Sequence, residues 1–390
     1  MAIKGIIAEF NPLHNGHKRL IDEAKKDGDT VAAVISGNFV QRGECAILEK
    51  SERAKCALMC GVDIVAELPV LWSMSTAQNF ALGGVWQLYA LGCEEIVFGS
   101  ECGDIGALTR TADILCSDAF FKKLSKRVNG AITFAAAREE AAGELGADLS
   151  LFKNPNDNLG IEYIIAAKKL NLPLKFSCIK REGAAHDSRC VSGDFVSASY
   201  IRDELRRGDI AFAERFMPGV LHGAVDISDI ADTARLERAI LAVLRTKEEG
   251  DFAALPDLSE GLDNKLLFAV RAAKSYAELE ARLKSKRYTL SRVRRLILSA
   301  FLGLDNAFFM RTPPYVRLLG ASEKGLAELK RGTFYEVLTK PSQIKALGPD
   351  AQKVFGAECR ATDIFALALK TPLEAGIEYT RKFLKSEDFL

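Results

Sequence analysis

Short apolar runs alternate with helical patterns through the first half of the chain. Residues 5–10 (GIIAEF), 30–36 (TVAAVIS), 63–68 (DIVAEL), 95–98 (EIVF) and 173–179 (PLKFSCI) read as strands. Helical segments over 17–26, 51–60 and 77–91 fall between them. Residues 104–170 read as mostly helical, with a break at Asn154-Pro155-Asn156. Strands fed alternately by helices predict an α/β fold with a parallel sheet covered on both faces. Its ligands belong beyond the carboxyl ends of the strands. From about Leu205 the pattern turns helical with almost no strand signal; 234–244, 265–281 and 291–302 are the clearest segments. In the first of these, Leu236, Ile240, Val243 and Leu244 share one helical face. The chain thus divides into an N-terminal α/β domain, residues 1–210, and an α-helical C-terminal domain, residues 211–390, with a soft boundary between Arg207 and Asp226.

The composition is that of a soluble globular protein: 390 residues, 48% hydrophobic and 27% charged. That apolar fraction excludes global disorder. The charge-free stretch 68–93 contains Ser73, Ser75, Thr76, Gln78, Asn79 and paired glycines, and reads as buried loop and helix rather than a membrane span. No basic-then-apolar leader opens the sequence, which predicts a cytoplasmic protein without membrane association. The nine cysteines form no CxxC pair and read as reduced, mostly buried thiols, with no residue assigned to a metal site. Net charge is +1, yet residues 1–210 carry −3 and residues 211–390 carry +4. Within the second half, Arg282, Lys284, Lys286, Arg287, Arg292, Arg294 and Arg295 follow one another without an intervening acid. A local basic cluster on a near-neutral protein points to one dedicated polyanion contact, such as a nucleic-acid backbone, or to a solvated helix end.

Two motifs carry chemistry. The first strand exits into Phe10-Asn11-Pro12-Leu13-His14-Asn15-Gly16-His17, where Pro12 stiffens the turn and a helix begins. Backbone N–H groups and the positive end of the helix dipole then face the place where phosphates would lie. The imidazoles can donate to phosphate oxygens during displacement at phosphorus, and Gly16 leaves room for a base or ribose. Helix-capping histidines, or a metal-binding HxxH pair, are the plainer alternatives. The second motif, Ser197-Ala198-Ser199-Tyr200-Ile201-Arg202, opens a helix after the last strand. Its serines can cap the helix and bond phosphates, and Arg202 can pair with β- and γ-phosphates. Together the two motifs form a triphosphate clamp. Among weaker candidates, the segment 36–43 (SGNFVQRG) is too polar and glycine-rich for core, and its Arg42 either orients substrate or joins an ion pair. Lys50, Arg53 and Lys55 read as a solvated helix face, and His186-Asp187 as an acid–base pair or a structural loop contact.

HNGH after the first strand with SASYIR after the last resembles the HxGH nucleotidylyltransferase superfamily. In order along the chain, GIIAEFNPLHNGH, ISGNFVQRGECAILEKSERA, GVDIVAELP, VFGSE, PNDNLGIEY, the segment from Arg181 to Asp187, SASYIR and KRYTLSRVRRLIL resemble the bacterial tRNA(Met) cytidine acetate ligase family. The resemblance runs from Gly5 to about Gly320. It implies a Rossmann-like ATP-binding nucleotidyltransferase domain followed by a tRNA-binding helical domain. It further implies that Ile7, Glu9, Phe10, Asn11, Pro12, His14, Gly16, His17 and Leu20 surround ATP. Gly99, Asn156 (or its neighbour Asn158), Arg181, Ser197 and Ser199 would complete the ATP site. The implied reaction is adenylation of acetate with pyrophosphate release, then acetylation of N4 of the wobble cytidine of elongator tRNA(Met). His14, His17, Arg202 and Mg²⁺ would neutralise the departing pyrophosphate. Lys284, Lys286, Arg287, Arg292, Arg294 and Arg295 would contact tRNA phosphates. Two rivals are a small-molecule adenylyltransferase of coenzyme biosynthesis, which the basic helical half does not fit, and a non-catalytic RNA-binding protein, which the intact His14, His17 and Arg202 argue against.

Overall fold

The computed structural model describes residues 2–127, 133–181, 191, 193–259 and 261–389. Among the described residues ten strands occur in chain order: β1 (Ile3–Ala8), β2 (Thr30–Ser36), β3 (Phe39–Val40), β4 (Glu44–Cys45), β5 (Ile64–Leu68), β6 (Glu95–Ser100), β7 (Lys175–Lys180), β8 (Val316–Ala321), β9 (Val337–Leu338) and β10 (Leu384–Lys385). The main sheet has the order β10-β8-β5-β2-β1-β6-β7, with β9 pairing β8, while β3 and β4 form a separate hairpin. The strands from β5 through β2, β1 and β6 to β7 run parallel, in registers such as Ile6↔Ala33 and Glu95↔Lys175. Alternate side chains of these apolar runs enter two separate cores, as a doubly covered sheet requires. Ile3, Ile7, Ala32 and Val34 pack with Trp72, Phe80 and Leu88 on one face. Ile6, Val31, Ala33 and Ile35 pack with Ile21, Ala57 and Ile201 on the other.

The second half is predominantly but not wholly helical. Helices Glu237–Arg245, Leu262–Ala272, Tyr276–Leu283 and Leu290–Leu302 share a third core built on Ile240, Leu266, Leu279 and Ile297. Leu236, Ile240 and Leu244 lie on the buried face of their segment as read from the sequence, but Val243 faces solvent and Leu241 is buried instead. The segment 265–281 is two helices rather than one, because Ser275 caps a new helix by accepting from the Glu278 N–H. Beyond these helices the chain returns to the main sheet. β8 runs antiparallel to β5, pairing Ile64 with Ala321 and Glu67 with Arg317, and all six of its residues are buried. Six residues, with Arg317 among them, give no periodicity that separates strand from helix, which is why the sequence reading finds no strand here.

Lys50, Arg53 and Lys55 do not form a solvated face. Lys50 and Arg53 are fully buried, and Lys55 donates to the Ala224 carbonyl at 2.7 Å. Lys50 Nζ contacts carboxylates of Glu67, Glu358 (2.9 Å) and Glu378 (2.6 Å), and Arg317 bridges Glu67 and Glu378. Arg381 adds ion pairs to Glu49 (2.7 Å) and Glu378 (3.1 Å). This network ties β5 and β8 to helix Pro349–Ala366 and the short helix Ile377–Thr380. Burial, with Glu358 beside it, pushes the Glu67 carboxyl up to about 8. Burial also opposes ionisation of Glu378, but Lys50 and Arg317 hold it well below the ordinary carboxylate range. Nor is the polar segment 36–40 outside the core: every residue of it is buried. Asn38 makes this tolerable, since its Oδ1 accepts from the Lys50 N–H (2.8 Å) and its Nδ2 donates to Thr362 Oγ1 (3.1 Å).

Candidate active site

The chain leaves β1 through Phe10, a buried non-glycine residue at φ +47, and turns into helix Asn15–Ala24. His14 occupies the N-cap position of that helix. Its Nδ1 accepts from the Gly16 N–H at 3.0 Å, while His17 Nδ1 accepts from the His14 N–H at 3.3 Å. The two histidines thus close a capping box, a task usually given to Ser/Thr and Glu/Gln. Their rings stack at 3.9 Å, and Phe10 meets the His17 ring edge-on at 5.2 Å. An Nδ1 that accepts is unprotonated, so each neutral ring carries its proton on Nε2. Capping and ligand binding are therefore not alternatives: Nδ1 serves the helix, and Nε2–H remains as a donor. Burial, reinforced by the charges of Arg181 and Arg202, drives the His14 imidazole down to about 3. Burial and neighbouring His14 and Arg181 lower His17 likewise. Gly16 serves a second purpose beside the one read from the sequence. A Cβ there would sit 2.9 Å from His14 Cε1, so the absence of a side chain makes room for the imidazole.

Both histidines line a cavity of about 260 Å³ at the carboxyl ends of the parallel strands. Ile7, Glu9, Phe10, Asn11, Gly16, Leu20, Gly99, Asn156, Arg181, Ser197, Ser199 and Arg202 line it too. Pro12 alone of the proposed ATP residues is not part of the lining; it is buried beneath the turn. Asn158 is not part of it either, and the intervening Asp157 shows why the two asparagines diverge. Asp157 is fully buried and accepts from Ser100 Oγ and the N–H groups of Glu101 and Cys102, pinning helix Pro155–Lys169 to the end of β6. Asn156, one residue earlier, faces the cavity and donates to Glu101 Oε1 at 2.6 Å.

Ser197 caps helix Ala198–Arg207 through the Tyr200 N–H and contacts Ser199 Oγ at 3.1 Å. Arg202, one turn on, is 6% exposed; it donates to the Asn11 carbonyl (2.9 Å) and pairs with Glu44 (3.2 Å). Its Nε and the Asn11 Nδ2 are buried without a protein partner. Orphaned donors on a cavity lining mark where acceptor oxygens fit. Glu9, whose Oε1 accepts from the Gln41 N–H at 2.8 Å, is pushed upward by burial despite that bond. Among the described residues it is the one acidic member of the lining, against Arg19, Arg42, Lys180, Arg181 and Arg202. Such a balance suits a polyanion.

Sequence reasoning missed Gln41, Phe80, Phe98, Leu159, Tyr163, Lys180 and Phe195. Leu159 and Tyr163 could have been found, since they follow Asn156 at helical spacing on the same face. Phe80 arrives from helix Ala77–Ala90 and has no local signal. His186 and Asp187 lie outside the described residues. The eight described cysteines are free, five of them buried. Among the described residues, no group of three or more His, Cys, Asp or Glu side chains could hold a metal ion, and no helix is long and apolar enough to cross a membrane.

The basic run differs from its reading. Arg282 pairs with Glu278 (2.6 Å), Arg294 with Glu280 (2.7 Å), and Arg292 and Arg295 both with Asp257 (3.4 and 3.2 Å). The compensating acids come from preceding helices and loops, not from the run itself. Arg292, Arg294 and Arg295 are half-buried, whereas Lys284, Lys286 and Arg287 are exposed.

A mostly parallel sheet, a histidine-capped helix opening on a cationic cavity and an arginine-bearing second motif define a nucleotidyltransferase. The family model for HIGH Nucleotidyl Transferase matches residues 1–378. The tRNA(Met) cytidine acetate ligase of Caldanaerobacter subterraneus subsp. tengcongensis is 37% identical, over 99% of this chain and all of that one. The ligase of the same name from Thermoanaerobacter sp. (strain X514) is 36% identical with equal coverage. The crystal structure of Thermotoga maritima TmcAL superposes with a TM-score of 0.91 at 30% identity, covering 99% and 100% of the two chains. TmcAL bound with alpha-thio ATP superposes at 0.89 and 29% identity. The chain belongs to the HIGH nucleotidyltransferases and, within them, to the tRNA(Met) cytidine acetate ligase family.

Proposed function

We propose that this protein uses ATP to activate acetate as acetyl-adenylate, then transfers the acetyl group to N4 of the wobble cytidine of elongator tRNA(Met). The observation that carries this reading is the single cavity that gathers His14 and His17 with five cationic side chains, Arg202 among them, and, among the described residues, one carboxylate. It sits in a chain matched end to end by ligases of that name. An acetate oxygen attacks the α-phosphorus, forming the acyl–phosphate bond as the bond to pyrophosphate breaks. The Nε2–H donors of His14 and His17, the orphaned Nε of Arg202 and the Ser197 and Ser199 hydroxyls suit the oxygens that gain charge. The cytosine N4 lone pair then attacks the acetyl carbon, AMP leaves, and the amine gives up a proton. Phe80, Phe98 and Tyr163 are aromatic members of the lining, the side-chain type on which a splayed-out base stacks.

Mg²⁺ fits this site chiefly through the triphosphate, with Glu9 as the available cavity carboxylate. When bound it would supply charge neutralisation at the phosphates. We assign ATP chemistry to residues 1–210 and tRNA engagement to the helices of residues 211–390, whose strands β8, β9 and β10 instead complete the main sheet. Within the latter, Lys284, Lys286 and Arg287 form the exposed part of the basic run.

Incubation with ATP, Mg²⁺, radiolabelled acetate and unmodified elongator tRNA(Met), followed by nuclease digestion and nucleoside chromatography, tests the reaction. ATP-dependent label in N4-acetylcytidine is the expected result. Pyrophosphate release that needs an acceptor other than acetate would instead establish a small-molecule adenylyltransferase. Replacing Lys284, Lys286 and Arg287 together with alanine should weaken tRNA binding on the order of tenfold or more at moderate salt and reduce the salt slope by roughly 2 to 3. Filter binding across a salt series measures both, and an unchanged slope would place the phosphate contacts elsewhere.

A further inference from the structure

The turn of the β3–β4 hairpin lies between the nucleotide cavity and the helical region, and each of its residues is held from one side or the other. Gln41 and Arg42 line the cavity. The Gln41 N–H donates to Glu9 Oε1 inside it (2.8 Å), while the Gln41 carbonyl accepts from Arg295 Nη1 on helix Leu290–Leu302 (3.1 Å). Gly43, at φ +75, presses directly on that helix: a Cβ there would lie 2.5 Å from the Arg295 N and 2.7 Å from Arg294 Cβ. Glu44 turns back to Arg202 (3.2 Å) and Arg206 (3.6 Å). The outgoing strand is fastened to the second half again, since the Cys45 N–H donates to Thr233 Oγ1 at 2.9 Å.

Resting on the function proposed above, we infer that Arg295 is a positioning residue for the adenylation site and not a tRNA contact. Its guanidinium is divided between Asp257 (3.2 Å) and the Gln41 carbonyl, and its side chain is 14% exposed. A phosphate of a large polyanion would have to displace both partners to reach it. Through Gln41 of the turn and Glu44 at the start of β4 the same hairpin sets Glu9 and Arg202, two groups on the cavity lining that the chemistry needs in register. Arg295 fixes this turn from outside, and Gly43 permits the close backbone approach that the fixing requires. The helical half thereby completes the nucleotide site as well as flanking it.

The test is direct titration of the full-length protein with α,β-methylene ATP, alongside steady-state kinetics and tRNA filter binding. Arg295→Met should raise the analogue Kd and the ATP KM about tenfold, with tRNA Kd within twofold of wild type. Arg295→Lys, which retains one donor toward the Gln41 carbonyl, should recover part of that loss. Gly43→Ala removes no charge and should reproduce the ATP defect by pushing the turn off the helix. A tRNA defect with unchanged ATP affinity would overturn the inference and make Arg295 a phosphate contact. A fall in kcat with KM and analogue Kd unchanged would also overturn it, because loss of folded protein alone has that signature. The analogue titration needs neither acetate nor tRNA, so it reads out even if wild-type protein fails to acetylate tRNA, the result that would sink the proposed function itself.

Discussion

His14→Ala is expected to abolish acetate-dependent pyrophosphate release, by about 10³-fold or more, while leaving tRNA affinity within twofold. Loss of one preorganised donor to a charge-accumulating transition state costs about 10² to 10³ in rate. Here the same side chain also caps helix Asn15–Ala24 and stacks on His17, so two phosphate-facing groups are disturbed at once. Equal loss of adenylation and tRNA binding would refute the assignment of the two tasks to different halves. His14 also gives a signature in acid. Its imidazole is held near 3 in the folded protein by burial and by Arg181 and Arg202, below the ordinary value of 6.5. The unfolded chain therefore takes up a proton that the folded one refuses. The associated stability is complete above pH 6.5 and is lost as pH falls from there toward 3. His14→Gln should flatten this part of the melting temperature profile, and an unchanged acid limb would show that the ring is not held neutral.

Lys50→Met is expected to be the most destabilising single change outside the cavity. It leaves Glu67, Glu358 and Glu378 buried without their shared cation. Removing one member of a buried ionic network costs about 3–5 kcal/mol, readable as a lowered urea midpoint. Glu358→Gln in the same background should restore part of that loss, because one carboxylate left without Lys50 then disappears while the amide oxygen can still accept from the Val70 N–H. The network also predicts behaviour in base. Glu67 is raised to about 8 from 4.5, so it contributes stability that is present below pH 4.5 and lost as pH rises through 8.

What the chain revealed before its structure was known follows from distance along the sequence. The β1 exit, His14, Gly16 and His17 occupy one short segment, and their chemistry can be read without any long-range contact. Asn156, Leu159 and Tyr163 needed only helical periodicity to be grouped. The arginines of the basic run read as uncompensated because Asp257, Glu278 and Glu280 reach them from outside it. Lys50 reads as surface since Glu358 lies 308 residues away. Fully buried charges with remote partners leave no local pattern, and a six-residue strand such as β8 leaves only an ambiguous one.

β8 also bears on how the protein is made. Glu67 of β5 and Arg317 of β8 face each other in the sheet yet stand 250 residues apart. A ribosome therefore exposes one edge of the nascent nucleotide-binding sheet long before the strand that covers it has been synthesised. That edge is an open ladder of N–H and C=O groups for the whole interval, the kind of surface to which other extended chains add. Residues 1–210 released alone would keep it open permanently, so an excised N-terminal half should self-associate where the full chain does not.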